Sequence, residues 1–166
     1  MISYYKNQFI HSDKNHINQN LFNGIGVFET IKFLNNKMLF FNEHINRLFS
    51  NNFFDFKNIK KEKIYDNAVK VIEQNSISKG LVKIIISPVS EDWSELEYYI
   101  FLRELPKIKM PIVKIIFYKE SLYPILRFNP MHKSLSYMGN FMAKRDANSE
   151  GAFEPIFYNK DNIVTE

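Results

Sequence analysis

Cysteine is absent from the 166 residues. That excludes a disulfide framework, a thiolate metal site and a cysteine nucleophile. Glycine and proline are scarce, at 5 and 6 residues, which excludes collagen-like and low-complexity chains. No apolar run approaches the ~18–20 residues that span a bilayer. The opening Met1-Ile2-Ser3-Tyr4-Tyr5-Lys6 lacks the apolar centre of a secretory signal. A cytoplasmic protein with no membrane partner is therefore expected. Charge of one sign is lacking too: 22 basic residues stand against 18 acidic ones, a net +4, and the lysines are scattered. The densest run, Lys57-Asn58-Ile59-Lys60-Lys61-Glu62-Lys63, is broken by an acid and reads as a solvated helix start rather than a phosphate-backbone site. Together with the absence of an aromatic strand motif of the RNA-binding type, this predicts no nucleic-acid partner. The histidines, His11, His16, His44 and His132, show no close metal spacing, and no metal is expected.

What is present is an ordinary globular composition, 45% hydrophobic and 24% charged. The length slightly exceeds one typical domain of about 150 residues and suffices for a sizeable core. Gly24 to Phe33 alternates apolar and polar residues after two glycines, which predicts a half-buried strand. Asn35-Asn36 suits a two-residue hairpin turn, with Lys37 to Phe41 as the returning strand. Asn42 is a candidate N-cap for a helix carrying Ile45, Leu48 and Phe49, and a second helix is expected from Lys61 to Gln74. Strand signals follow at Leu81–Ser87 and Leu96–Leu102. Phe40, Phe41, Phe53 and Phe54 are expected in the core. Strands in runs with helices beside them predict an α+β unit over residues 1–106. A Pro- and Lys-bearing linker is expected at 107–111, and a second unit at 112–166. That unit opens with a strand at Ile112–Tyr118, has a helix at Met138–Asn148 and closes in a hairpin from Pro155 to Glu166.

Three residues could carry chemistry on local grounds. Lys133 lies between His132 and Ser134, after an irregular loop and before a helix. A lysine in a partly desolvated pocket can act as an amine toward a carbonyl, and the position equally suits a solvent-facing lysine. Arg47 follows His44 by three residues on the first helix, where a forked guanidinium could bind phosphate or carboxylate, or both could sit on a wet helix face. Glu166 ends a strand-like run and could bond a protonated ring nitrogen or stay an exposed acid. Gly24-Ile25-Gly26 enters a strand rather than a helix and lacks the third glycine of a dinucleotide fingerprint. There is no Gly-x-Ser-x-Gly elbow.

The order of these features resembles a known family. Gly24-Ile25-Gly26-Val27-Phe28-Glu29-Thr30-Ile31-Lys32 followed by His44-Ile45-Asn46-Arg47-Leu48 is similar to the N-terminal signature of class IV aminotransferases. His132-Lys133-Ser134-Leu135-Ser136-Tyr137 resembles the segment bearing that family's Schiff-base lysine, Asn140–Ala147 its following helix, and Ile163-Val164-Thr165-Glu166 the strand ending in its cofactor-binding glutamate. The resemblance implies the two-domain architecture of fold-type-IV enzymes. Here it would comprise a complete small N-terminal domain and the first part of a larger one, with a small-molecule amino-group substrate and a homodimeric assembly. It implies pyridoxal 5'-phosphate as cofactor, held by Lys133, by Arg47 at the phosphate and by Glu166 at the pyridine nitrogen. Lys133 would also move the substrate proton. Phe28 and Thr30 would line the substrate side, and Tyr137 would lie near the cofactor's phenolic oxygen. Asn23-Gly24-Ile25-Gly26 departs from the family in lacking an acid before the turn. The family also extends well past the glutamate, so less than a complete cofactor cage is expected here. The reactions implied are pyruvate elimination from 4-amino-4-deoxychorismate, slightly favoured by Thr30 and Lys133-Ser134-Leu135, or amino-group exchange with branched-chain or D-amino acids. The alternative of another class is a non-catalytic α+β binding module or inactive fragment.

Overall fold

The computed structural model describes residues 2–5, 8–11, 19–105, 112–125 and 132–166. They run in the order β1 (Ile2–Tyr5), β2 (Gln8–His11), α1 (Gln19–Phe22), β3 (Val27–Leu34), β4 (Lys37–Met38), α2 (Phe41–Phe49), α3 (Lys61–Gln74), β5 (Lys79–Pro88), β6 (Leu96–Arg103), β7 (Ile115–Lys119), α4 (Met138–Ser149) and β8 (Glu154–Tyr158). The chain divides into two compact units, Met1–Pro106 with Met131–Leu135, and Lys107–Pro130 with Ser136–Glu166. The expected linker at 107–111 lies outside the described residues. Among the described residues no helix is long and apolar enough to cross a membrane, and no group of three or more His, Cys, Asp or Glu is placed to hold a metal ion.

The first unit is built on a six-stranded sheet in the order β2-β1-β6-β5-β3-β4. All its pairings are antiparallel. Successive strand side chains point to opposite faces, and alternation sorts this sheet accordingly. Val27, Ile31 and Phe33 of β3, Val82, Ile84 and Ile86 of β5, and Tyr98, Ile100 and Leu102 of β6 are buried in one cluster. Ile45 and Leu48 of α2 and Ile64, Ala68, Val71 and Ile72 of α3 complete it. The opposite face carries Phe28, Thr30 and Lys32 beside Leu81, Lys83 and Ile85, then Tyr99, Phe101 and Arg103.

The hairpin between β3 and β4 turns at Asn35 and Asn36, whose φ angles of 47° and 62° suit asparagine's tolerance of the left-handed region. The returning strand stops at Met38 instead of running to Phe41. Phe40 takes a left-handed φ of 54° and occupies the N-cap of α2, without a side-chain cap. Asn42, expected as that cap, lies inside the helix. The backbone reversal turns Phe40 outward at 72% exposure, which overturns its expected core position. Phe41, Phe53 and Phe54 do pack against the core. The hairpin of β1 and β2, which propensity did not flag, joins the sheet through Tyr4 opposite Ile100.

In the second unit β7 and β8 pair in parallel, Ile115 with Glu154 through Lys119 with Tyr158. Parallel strands require a crossover, and α4 lies within it. After β8 the chain turns on the Asn159 side chain, whose Oδ1 accepts from the amides of Asp161 and Ile163. It returns with Val164 bridged to Tyr158.

Candidate active site

The placement of Lys133 starts from Gly26. A Cβ there would lie 2.8 Å from the Ile86 carbonyl oxygen and 2.8 Å from Leu135 Cδ1. Only glycine lets segment 132–135 come this close. Beyond it, β4 covers β3 only at Phe33 and Leu34, so the edge at Val27–Phe28 is open. The segment fills that edge. The Phe28 amide donates to the Lys133 carbonyl at 2.9 Å and the Leu135 amide to the Gly26 carbonyl at 3.0 Å. Val27 bridges Ser134. An open strand edge recruits backbone in this way because its amides and carbonyls need partners. The sequence places 132–135 with the second unit; the structure packs these residues with the first for this reason.

Lys133 Nζ lies 5.9 Å from the Phe28 ring centroid, and Lys83 Nζ lies 4.3 Å from the same ring. Ammonium groups over an aromatic face are attracted by its quadrupole. Lys83 is directly opposite Thr30 in the register of β3 and β5, so Phe28, Thr30 and Lys83 share a face that Lys133 joins. Burial, and secondarily repulsion from Arg103, lowers the Lys83 pKa below its ordinary value. Lys83 was missed in the sequence. The available signal was a single charge inside the apolar run Leu81–Ile86.

Arg47 lies on α2, which packs over the other face of β3. Its guanidinium forks onto Glu29, Nε to Oε1 at 2.5 Å and Nη2 to Oε2 at 2.6 Å. His44 Nδ1, one helical turn earlier, lies 2.8 Å from Glu29 Oε2. The Glu29 side chain is 1% exposed and the Arg47 side chain 38%. Ser50 follows the helix and links it to the lysine segment: its hydroxyl donates to the Arg47 carbonyl at 2.9 Å and lies 3.5 Å from His132 Nε2. His132 Nδ1 is buried with no hydrogen-bond partner among the described residues.

In the second unit, Glu166 is held by Tyr137 and Asn140. Tyr137 Oη lies 3.2 Å from its Oε1 and Asn140 Nδ2 lies 2.9 Å from Oε2. Its carbonyl accepts from the Phe157 amide at 2.7 Å, while Thr165 donates back to the Phe157 carbonyl at 2.9 Å. The carboxylate is thus fixed in direction by α4 and by β8. Each unit therefore presents its own set, Lys133 with Phe28, Thr30 and Lys83, and separately Arg47 on Glu29, in the first; Glu166 with Tyr137 and Asn140 in the second.

Comparison with solved structures finds the same architecture widely. A Legionella pneumophila protein described as a 4-amino-4-deoxychorismate lyase is 26% identical, with a TM-score of 0.76 over 90% of this chain and 58% of its own. The Escherichia coli branched-chain amino acid aminotransferase superimposes with a TM-score of 0.80 at 13% identity, over 99% of this chain and 62% of its own. A Mycobacterium tuberculosis aminotransferase in a PLP-bound form gives 0.77 at 20% identity, over 99% and 64%. This chain thus spans less than two thirds of the length of these structures. A search of curated protein sequences finds no match. Residues 26–166, from the glycine that admits the lysine segment to the glutamate held by Tyr137 and Asn140, match the amino-transferase class IV family, and the chain belongs to that family.

Proposed function

We propose that this chain carries part of the machinery of a pyridoxal-phosphate enzyme acting on an amino group. The observation that carries the reading is the docking of 132–135 on the open edge of β3, which sets Lys133 near the Phe28 ring that Lys83 also faces. The donor types present suit a phosphorylated pyridine aldehyde: an amine, a guanidinium and an oriented carboxylate. When bound, that cofactor supplies an electron sink for the pair left at an amino-bearing carbon. Lys133 Nζ would bind the aldehyde and, once displaced, carry the proton at the reacting carbon. Arg47 would hold the phosphate by charge-assisted bonds, and Glu166 would accept from the ring nitrogen. Tyr137, through its bond to Glu166, would fix that carboxylate. Phe28 and Thr30 would line the substrate, with the Lys83 ammonium available to an anionic group on it.

For the reaction we favour pyruvate elimination from 4-amino-4-deoxychorismate to give 4-aminobenzoate. Its support is the Legionella relative, at 26% identity, and Thr30 on the substrate face. The same reading includes a homodimer, supported by the exposed apolar residues Phe117, Met138 and Phe141 and checked by light scattering.

The test is to add pyridoxal phosphate to the full chain, follow its absorbance, reduce with borohydride and map the modified lysine. Label confined to Lys133 and lost in Lys133→Ala supports the reading; label scattered over surface lysines defeats it. Assays of 4-aminobenzoate formation against transfer from branched-chain and D-amino acids then separate the reactions.

A further inference from the structure

Glu29 is an anomaly in its own strand. Val27, Ile31 and Phe33 flank it on the face that packs into the core, yet the position holds a carboxylate, 1% exposed. Replacing a buried ion pair by apolar residues of similar size is often neutral or stabilising, so stability alone does not account for it. Its two partners are one helical turn apart on α2, and they bind it differently. His44 takes one oxygen, whereas Arg47 takes both through Nε and Nη2. A two-point fork fixes the plane of a guanidinium as well as its position. The side chain reaches the surface at 38% exposure.

We infer that Glu29, backed by His44, is the positioning residue that sets the plane of Arg47 for an anionic phosphate. This rests on the role proposed above for Arg47. Held by its Nε–Nη2 edge, the guanidinium has its plane set before an anion arrives, so little ordering is left to the moment of binding. Glu29 itself touches no ligand. Its effect passes through Arg47 alone.

The experiment compares dissociation constants of pyridoxal phosphate and of pyridoxal, which lacks the phosphate, for the full chain and its variants. The ratio of the pyridoxal constant to the pyridoxal phosphate constant isolates the phosphate. Loss of a bond to a charged group predicts that Glu29→Gln lowers this ratio by about tenfold while the pyridoxal constant stays unchanged. In an Arg47→Met background the same substitution should change the ratio no further. A merely structural Glu29 would instead weaken both ligands alike, or act equally in both backgrounds, and either result overturns the inference. An unchanged or larger ratio in Glu29→Gln overturns it too. Should Glu29→Gln fail to fold, His44→Gln removes the second support: a fall of about twofold upholds the inference and an unchanged ratio removes it. If Arg47→Met alone leaves the ratio unchanged, the phosphate role of Arg47 has failed. If the unsubstituted chain binds neither ligand, both ideas fall.

Discussion

Lys83 holds a charge where the strand around it is apolar, and its ammonium pKa is lowered, first by burial and then by Arg103. The sign of the consequence is definite. Folding depresses this pKa, so the unfolded chain binds the proton more tightly and charge at Lys83 opposes folding. That penalty is fully present below the folded pKa and relieved as pH rises toward the ordinary lysine value of 10.5. Lys83→Met is therefore expected to raise the urea midpoint at pH 7, with the advantage shrinking as pH approaches 10.5. In the proposed enzyme the same substitution should raise KM for an anionic substrate by about tenfold, the worth of one bond to a charged group. Stability gained where function is lost marks a residue kept for its chemistry. Lys133 was legible because its neighbours His132, Ser134, Leu135 and Tyr137 form a family pattern. Lys83 and Glu29 break the apolar pattern of their strands, but the pattern alone does not say what a lone charge there meets. Only the register and α2 reveal what each one faces.

Strand β3 is the element on which the first unit's site depends. One face holds Glu29 under α2, the other holds Phe28 and Thr30, and its free edge holds the backbone of Lys133. Gly26 at its entry controls the third of these. Gly26→Ala would press a methyl group onto the Ile86 carbonyl and Leu135, and overpacking of this kind costs about 2 kcal/mol. Chemical denaturation should read that loss, and the amides of Phe28 and Leu135 should lose hydrogen-exchange protection along with it. The extent of most elements was legible. Helix α3 spans Lys61–Gln74 as its apolar spacing predicts, and α4 spans Met138–Ser149, one residue beyond expectation. The start of α2 was not, because Asn42 carries good capping chemistry but the left-handed turn at Phe40 begins the helix earlier. A short loop leading back from a hairpin overrode a local preference.

At the scale of the whole chain the two units differ in what they bury. The first has a continuous apolar cluster spanning its sheet and two helices. In the second, Ala143, Ala147, Ala152 and Phe157 are buried, while Phe117 is 56% and Phe141 70% exposed. A two-stranded sheet is marginal by itself. Native-state hydrogen exchange should accordingly find the slowest amides in β3, β5 and β6, with β7 and β8 opening at free energies lower by at least ~2 kcal/mol. Equal protection in both sheets would contradict this.

The sequence by itself determined the α+β class, the alternation that divides the sheet's faces, and the family to which residues 26–166 belong. These follow from periodicity and from residue types in order, information that is local along the chain. Tertiary structure alone decided that segment 132–135 returns to the first unit, that Lys83 shares a ring with Lys133, and that Arg47 is forked onto a buried Glu29. Each joins residues far apart in sequence through an open strand edge, a strand register or a helix laid across a sheet. Such pairings depend on which backbone groups lack partners and which side chains share a face, and both are fixed only when the chain has folded.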